Sequence, residues 1–97
     1  MSYVTSIAYL VREDIDPRSG KPCWLVERRD GAGDFIPLAI GESDRPRRFP
    51  TFRSAEDARE SAVRADTAAA TRLGLVARQE EDETSDGVVL TVRISKK

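Results

Sequence analysis

The chain contains no histidine, and cysteine, tryptophan and methionine each occur once among its 97 residues. Ordinary zinc sites are built from histidine and cysteine, and the serine and cysteine catalytic triads rely on histidine. The sequence therefore predicts neither a zinc site nor a catalytic triad of this kind. A single cysteine cannot form an internal disulfide, which favours a reducing compartment. Cys23 lies beside Trp24 in an apolar run, and we interpret it as a buried, unreactive thiol.

Long hydrophobic runs are also missing. The first eleven residues are mostly apolar, but they lack a basic leader, and Arg12, Glu13 and Asp14 follow them at once. A helix that spans a membrane needs about 20 apolar residues. We therefore predict no signal sequence and no membrane contact, and we expect a cytoplasmic protein.

Neither sign of charge dominates, because 16 basic and 17 acidic residues leave a formal net charge of −1. This balance creates no overall field that would attract nucleic acid or an anionic membrane. A charged partner would have to be recognised by a local patch. Thirteen of the basic residues are arginines, whose planar guanidinium groups favour paired contacts with carboxylates and phosphates.

The strongest pattern in the chain predicts a helix over residues 54–73. Ser54 is the expected N-cap, Asp57 can complete a short capping box, and Gly74 can close the helix in a left-handed conformation. Charged residues, Arg59 included, are expected mainly on the polar face. The predicted buried stripe consists of small apolar residues at spacings of three and four: Ala55, Ala58, Ala62, Ala65, Ala69 and Leu73.

Five segments have the alternating, β-branched or aromatic composition of strands. Pro37 has no amide hydrogen, so the strand that contains it belongs at an edge or a bulge. We predict a single α+β domain over residues 1–97, in which one alanine-rich helix packs on one face of a small, mainly antiparallel sheet, with the order β-β-β-α-β-β. The predicted strands are residues 3–12, 23–29, 35–40, 75–80 and 88–95.

Residues that could support catalysis are scarce. The glycines at 31 and 33 superficially resemble a nucleotide-binding loop, but no helix follows them, so we interpret this stretch as a turn. Asp14 and Asp16 lack the apolar surroundings that would perturb a carboxyl pKa and the spacing of a calcium loop. We predict a protein that is not an enzyme and that uses no cofactor and no metal.

The first candidate site is the predicted loop at residues 41–53, which interleaves arginines with two phenylalanines. Arginines beside exposed aromatic rings can bind single-stranded nucleic acid or the acidic surface of a protein. Alternatively, Phe49 and Phe52 pack into the core and the loop is only a connector. The candidate binding residues are Arg45, Arg47, Arg48, Phe49, Phe52 and Arg53.

The second candidate site is a predicted acidic hairpin loop at residues 81–87. Consecutive carboxylates repel one another, so they either keep a hairpin tip solvated or bind a basic partner. In size and charge layout the chain is similar to small phage-encoded antagonists of bacterial nuclease defences, which imitate phosphates. The candidate residues are Glu80, Glu81, Asp82, Glu83 and Asp86.

Residues 52–62 combine an aromatic residue, a capping serine, two acids and alanines. This run resembles the helix start of HicB-type antitoxins and of many other small domains in which strands precede a helix. The two predicted strands after the helix depart from the antitoxin layout, and no family is assigned.

The sequence predicts a non-catalytic protein-binding module that acts as an inhibitor, adaptor or antitoxin. The alternative is a nucleic-acid-binding domain that uses residues 45–53. We also expect that a homodimer could form through a sheet edge, at residues 88–95 or at residues 35–40.

Overall fold

A computed structural model describes residues 3–40 and 45–97, with Tyr3 described by its backbone alone. It contains a five-stranded antiparallel sheet of order β3-β2-β1-β5-β4 and one helix, which confirms the predicted α+β class and element order. The elements are β1 (Tyr3–Ile15), β2 (Pro22–Asp30), β3 (Ile36–Pro37), α1 (Phe52–Arg72), β4 (Leu75–Thr84) and β5 (Gly87–Lys96).

The two edges of the sheet differ greatly in length. β3 has two residues and forms one edge, where the missing amide hydrogen of Pro37 can be tolerated. β4 has ten residues and forms the other edge. β5 lies between β1 and β4, so the predicted dimer edge at residues 88–95 is wrong, because both sides of that strand are already paired.

The hydrophobic core lies between the helix and one face of the sheet. One cluster joins the middle of β1 and β5 to the second half of α1 through residues such as Tyr9, Val92 and Val63. A second cluster joins Val11 and Phe49 to the start of the helix. This packing follows from the period-two alternation of the strands, which places the apolar side chains of β1 and β5 on the same face.

The helix begins two residues earlier than predicted. Thr51 is the N-cap, and its hydroxyl accepts a hydrogen bond from the amide of Ser54, whose own hydroxyl completes the capping box. The assignment of Ser54 as the N-cap was therefore wrong. Thr51 also carries a short β-hydroxyl side chain, so composition alone did not distinguish the two positions.

The buried stripe of the helix is rotated from the predicted one. Ala65 is exposed, and Leu73 lies beyond the helix with 76% of its surface exposed. Arg59 is buried at 6% exposure, so its predicted place on the polar face was wrong. Because alanines occur all around this helix, its faces differ little in hydrophobicity, and the sequence does not show clearly which face is buried. The fully buried helical residues are Ala55, Arg59, Val63 and Ala70.

The acidic residues 80–83 lie in β4, so the predicted loop at residues 81–87 was mostly wrong. The turn contains only Ser85 and Asp86, and Thr84 pairs with Gly87 across it. Gly87 has a φ of 145°, and a Cβ atom there would lie 2.2 Å from the carbonyl oxygen of Val11. The close approach of this hairpin to β1 therefore requires glycine at position 87.

Two further findings concern expectations from composition. Cys23 is a free, buried thiol, as interpreted from its apolar neighbours. Within residues 3–40 and 45–97, no helix combines the length and the apolar character that crossing a bilayer requires.

Candidate functional site

Phe49 belongs to the core, with 5% of its surface exposed. Its amide and carbonyl exchange hydrogen bonds of 2.9 Å with the carbonyl and amide of Trp24, so the chain pairs locally with β2. The guanidinium of Arg47 lies over the Phe49 ring at 4.9 Å from its centre. The connector interpretation is therefore confirmed for Phe49, whose ring is not available to stack on a base.

Arg48 is occupied by contacts within the chain. Its Nη1 atom donates a hydrogen bond of 2.7 Å to Asp14 and lies 3.4 Å from the sulfur of Cys23. The hydrogen bond from Arg48 is the main reason that the pKa of Asp14 lies below its usual value, and the same pair raises the pKa of Arg48. Arg48 thus links the loop to the end of β1.

The other candidates in this segment do not converge. Arg45 and Arg53 are exposed, and the Arg53 guanidinium lies 3.9 Å from the carboxylate of Asp57, one helical turn away. Phe52 is the first residue of the helix and is 39% exposed. Of the six residues proposed as one basic and aromatic site, Phe49 is buried and Arg48 is bonded to Asp14, whereas Phe52 and Arg53 lie in the first turn of the helix.

Phe52 instead lines a groove with Trp24. The groove has a volume of about 530 Å³ and lies between the start of α1 and the β4–β5 turn. Its other walls include apolar side chains from β1 and β5, the charged residues Arg12 and Glu13, and the turn residue Asp86. An aromatic groove whose rim carries two carboxylates and one arginine could accept a large apolar side chain from a segment that also carries basic groups.

The acidic side chains of β4 fall into two groups. Glu80 accepts a hydrogen bond of 3.1 Å from Nε of Arg93 on β5, and a carboxylate oxygen of Glu81 lies 3.9 Å from the buried Nη1 of Arg59. In the part of the chain that the structure describes, no ion pair is found for Asp82 or Glu83. Their charges face solvent at the edge of the sheet.

The backbone of β4 leaves half of its amides available to another strand. Thr84 and Gly87 close the two-residue turn as a hydrogen-bonded pair, and such pairs alternate along an antiparallel ladder. The amides and carbonyls of Gln79, Glu81 and Glu83 therefore point away from β5. No described strand pairs with this side of β4.

A polar network between the helix and the sheet was not predicted. Asp66 accepts hydrogen bonds from Arg28 and from the hydroxyl of Tyr9, and Arg28 also donates one of 2.7 Å to Asp30. Burial, followed by the bond to Asp66, raises the pKa of Tyr9, and the bond to Asp66 raises the pKa of Arg28. The only available sequence signal was the position of Asp66, seven residues after Arg59 on the same face.

The described residues contain no group of three or more histidine, cysteine, aspartate or glutamate side chains that could hold a metal ion. The acidic residues of β4 are spread along a strand whose side chains alternate between the two faces, so they do not converge on one point. Comparisons with protein-family models, with curated proteins and with solved structures found no significant match for this chain.

Proposed function

We propose that this chain is a non-catalytic protein-binding module that uses β4 to bind an extended, basic segment of another protein. The observation that carries the proposal is the ten-residue edge strand with four consecutive carboxylates. An unpaired edge can add a strand through backbone hydrogen bonds, while the side chains select the partner. Acidic side chains favour a partner rich in lysine or arginine.

The geometry of the edge supports this mode of binding. Gln79, Glu81 and Glu83 would exchange backbone hydrogen bonds with the added strand, because their amides and carbonyls point outward. Asp82 and Glu83 are exposed and would meet basic side chains across the new strand pair. β5 cannot bind an added strand, because it already pairs with β1 on one side and with β4 on the other.

The aromatic groove continues this surface at the turn. Thr84 ends β4 and also lines the groove, together with Phe52 and Trp24. A partner segment that runs along β4 would reach the groove by crossing the β4–β5 turn, because the groove lies on the β1 side of that turn. We propose that a large apolar residue of the partner enters there and fixes the register of the added strand.

The partner is proposed to act in the cytoplasm, in keeping with the single free thiol. An inhibitor, an adaptor and an antitoxin would all use such an edge, since each works by occupying a surface of another protein. Basic surfaces that normally bind nucleic acid are suitable targets for consecutive carboxylates.

The proposal is tested by selecting binders from a displayed library of random peptides about ten residues long, matching the length of β4. We expect the selected peptides to be enriched in lysine, arginine and β-branched residues. The Gln79→Pro variant should abolish their binding, because it removes an outward amide without removing a hydrogen bond to β5. Gln79→Ala is the matched control and should bind nearly as well as the original chain.

Three outcomes would count against the proposal. The library could yield no binders, the binders could lack basic residues, or Gln79→Pro could bind as well as Gln79→Ala. Light scattering on the isolated chain would identify self-pairing of β4, which would make a second copy the occupant of the edge. Binding of a single-stranded oligonucleotide that is lost on Arg47→Ala would instead support the nucleic-acid alternative.

A further inference from the structure

The face of the sheet opposite the helix carries a second charged site, at the end near the β2–β3 turn. A shallow cavity of about 630 Å³ is lined there by Thr5, Ser6, Arg29, Gly31, Ala32 and Arg93, among others. None of the described residues that line it is acidic. Two arginines and two hydroxyl groups meet here and form a local concentration of hydrogen-bond donors, and one of these arginines, Arg93, is also bonded to Glu80 of β4.

Arg29 is held in a fixed orientation at this cavity. Its guanidinium lies over the ring of Phe35, 4.6 Å from the ring centre. Its Nε atom is buried, and no hydrogen-bond partner for it is found in the described part of the chain. A planar cation that is already oriented by an aromatic ring loses little conformational freedom when it binds an anion.

Arg93 approaches the cavity from β5. It pairs directly with Ser6 of β1 in the sheet, and its Nε atom donates a hydrogen bond of 3.1 Å to Glu80, which orients the guanidinium. The amide of Gly31 donates a hydrogen bond of 2.8 Å to the carbonyl of Ser6 and so fixes the turn at the rim. The two arginines are thus carried by the strands on either side of β1, Arg93 beside Ser6 and Arg29 beside Ala8.

We propose that this cavity binds a phosphate group of a ligand, with Arg29 as the principal contact and Arg93 and the hydroxyls of Ser6 and Thr5 as supporting contacts. Guanidinium groups bind phosphate oxygens through paired, charge-assisted hydrogen bonds. The site is separate from the free edge of β4, so it does not depend on the protein partner proposed above.

The test is isothermal titration of the whole chain with inorganic phosphate, pyrophosphate, a nucleoside triphosphate and a short single-stranded oligonucleotide, at matched ionic strength. We expect saturable binding of at least one of them. Arg29→Gln should weaken it about tenfold or more, as expected for loss of hydrogen bonds between charged groups. Arg64→Gln removes an exposed arginine on the helix, away from this face of the sheet, and should leave the affinity unchanged.

Ala32→Glu is a second variant that leaves both arginines in place. Ala32 is exposed at the rim, so the substitution should preserve the fold and weaken binding by charge repulsion. Tight binding of pyrophosphate or the triphosphate would indicate a small phosphorylated ligand. Binding of the oligonucleotide alone, with a steep dependence on salt, would indicate a nucleic-acid backbone.

The proposal is overturned if none of the four ligands binds. It is also overturned if Arg64→Gln weakens binding as much as Arg29→Gln, because the attraction would then be unspecific. Circular dichroism of each variant establishes that the fold is intact before the affinities are compared.

Discussion

Arg28 on β2 donates two hydrogen bonds to Asp66 on α1, from Nε to Oδ2 and from Nη2 to Oδ1, both at 3.1 Å. Both side chains are largely buried, with 30% and 22% of their surface exposed. This paired contact joins the second half of the helix to β2. It also satisfies a carboxylate that would otherwise be costly to bury.

We expect Asp66→Ala to lower the free energy of unfolding by about 2–3 kcal/mol, because Arg28 and Tyr9 would both lose a partner in a partly buried site. Chemical denaturation measures this change. Asp57→Ala is the matched control on the exposed side of the helix, where the contact with Arg53 is 3.9 Å, and it should change stability by about 0.5 kcal/mol or less. Equal effects of the two variants would contradict a structural role for Asp66.

Tyr9 should titrate well above an ordinary tyrosine, since burial and the bond to Asp66 both raise its pKa. The unfolded chain ionises this phenol near pH 10 while the folded chain does not, so its contribution to stability is present below about pH 10 and is lost as the pH rises further. Ultraviolet absorbance of the phenolate measures the titration. Subtracting the titration curve of Tyr9→Phe from that of the original chain leaves the absorbance change of Tyr9 alone. If this difference curve shows ionisation near pH 10 in the folded protein, the expectation is refuted.

The sequence predicted the architecture well because the strands carry the period-two pattern that a half-buried sheet requires. Val92 and Ile94 illustrate this, since both face the core as their alternation indicated. The face of the helix was harder to predict, because alanine is similarly tolerated on both sides. The buried Arg59 and the partly buried Asp66 left only their seven-residue spacing as a signal, because their burial depends on partners far away in the sequence.

Prediction of the sites failed for a related reason. The sequence predicts a loop from residue 81 onward, after the strand at residues 75–80, because strands are poor in acidic residues. The ladder with β5, together with Arg93 and Arg59 beside two of the carboxylates, keeps this segment in the sheet. Phe49 and Phe52 are close together and similar in context, yet only Phe49 is buried.

Arg59 is a buried cation whose nearest counter-charge is Glu81, at 3.9 Å, and its Nε and Nη1 atoms have no hydrogen-bond partner among the described residues. We expect Glu81→Gln to destabilise the protein by about 1–2 kcal/mol, because the buried charge would lose its compensation. Glu83→Gln is the matched control on the same strand and should have an effect of about 0.5 kcal/mol or less.

Arg59→Met should be neutral or stabilising, since it removes the charge but keeps most of the packed volume. In the Arg59→Met background, Glu81→Gln should have little further effect, and denaturation of the four proteins of this cycle measures the coupling. A Glu81→Gln effect of the same size in both backgrounds would show that the two charges do not interact.

Asp14 should make the stability of the protein sensitive to acid. Its pKa in the folded chain is lowered, first by the hydrogen bond from Arg48 and then by the backbone of Ile15. Such a group stabilises the fold above the ordinary aspartate pKa of about 3.9, and this contribution is lost as the pH falls through the lower, folded pKa.

We therefore expect the original chain to melt at a higher temperature than Asp14→Asn at about pH 6, and this difference in melting temperature to close as the pH falls through the lowered, folded pKa of Asp14. Thermal denaturation followed by circular dichroism measures both curves. Asp34→Asn removes an exposed carboxylate from the loop after β2, is the control for the loss of one negative charge, and should change the melting temperature little at about pH 6. A gap for Asp14→Asn that persists at low pH would rule out the ion pair as its cause.

The pairing of β1 with β5 has a consequence for how the protein is made. Val11 lies beside Val88 and Ile7 beside Val92, so the centre of the sheet joins residues about 80 positions apart. The β1–β2 and β4–β5 hairpins can each form from local contacts, but the sheet is complete only when they meet. During synthesis, one edge of β1 therefore stays unpaired until β5 has left the ribosome. In that interval the nascent chain is most prone to aggregate and most available to a chaperone.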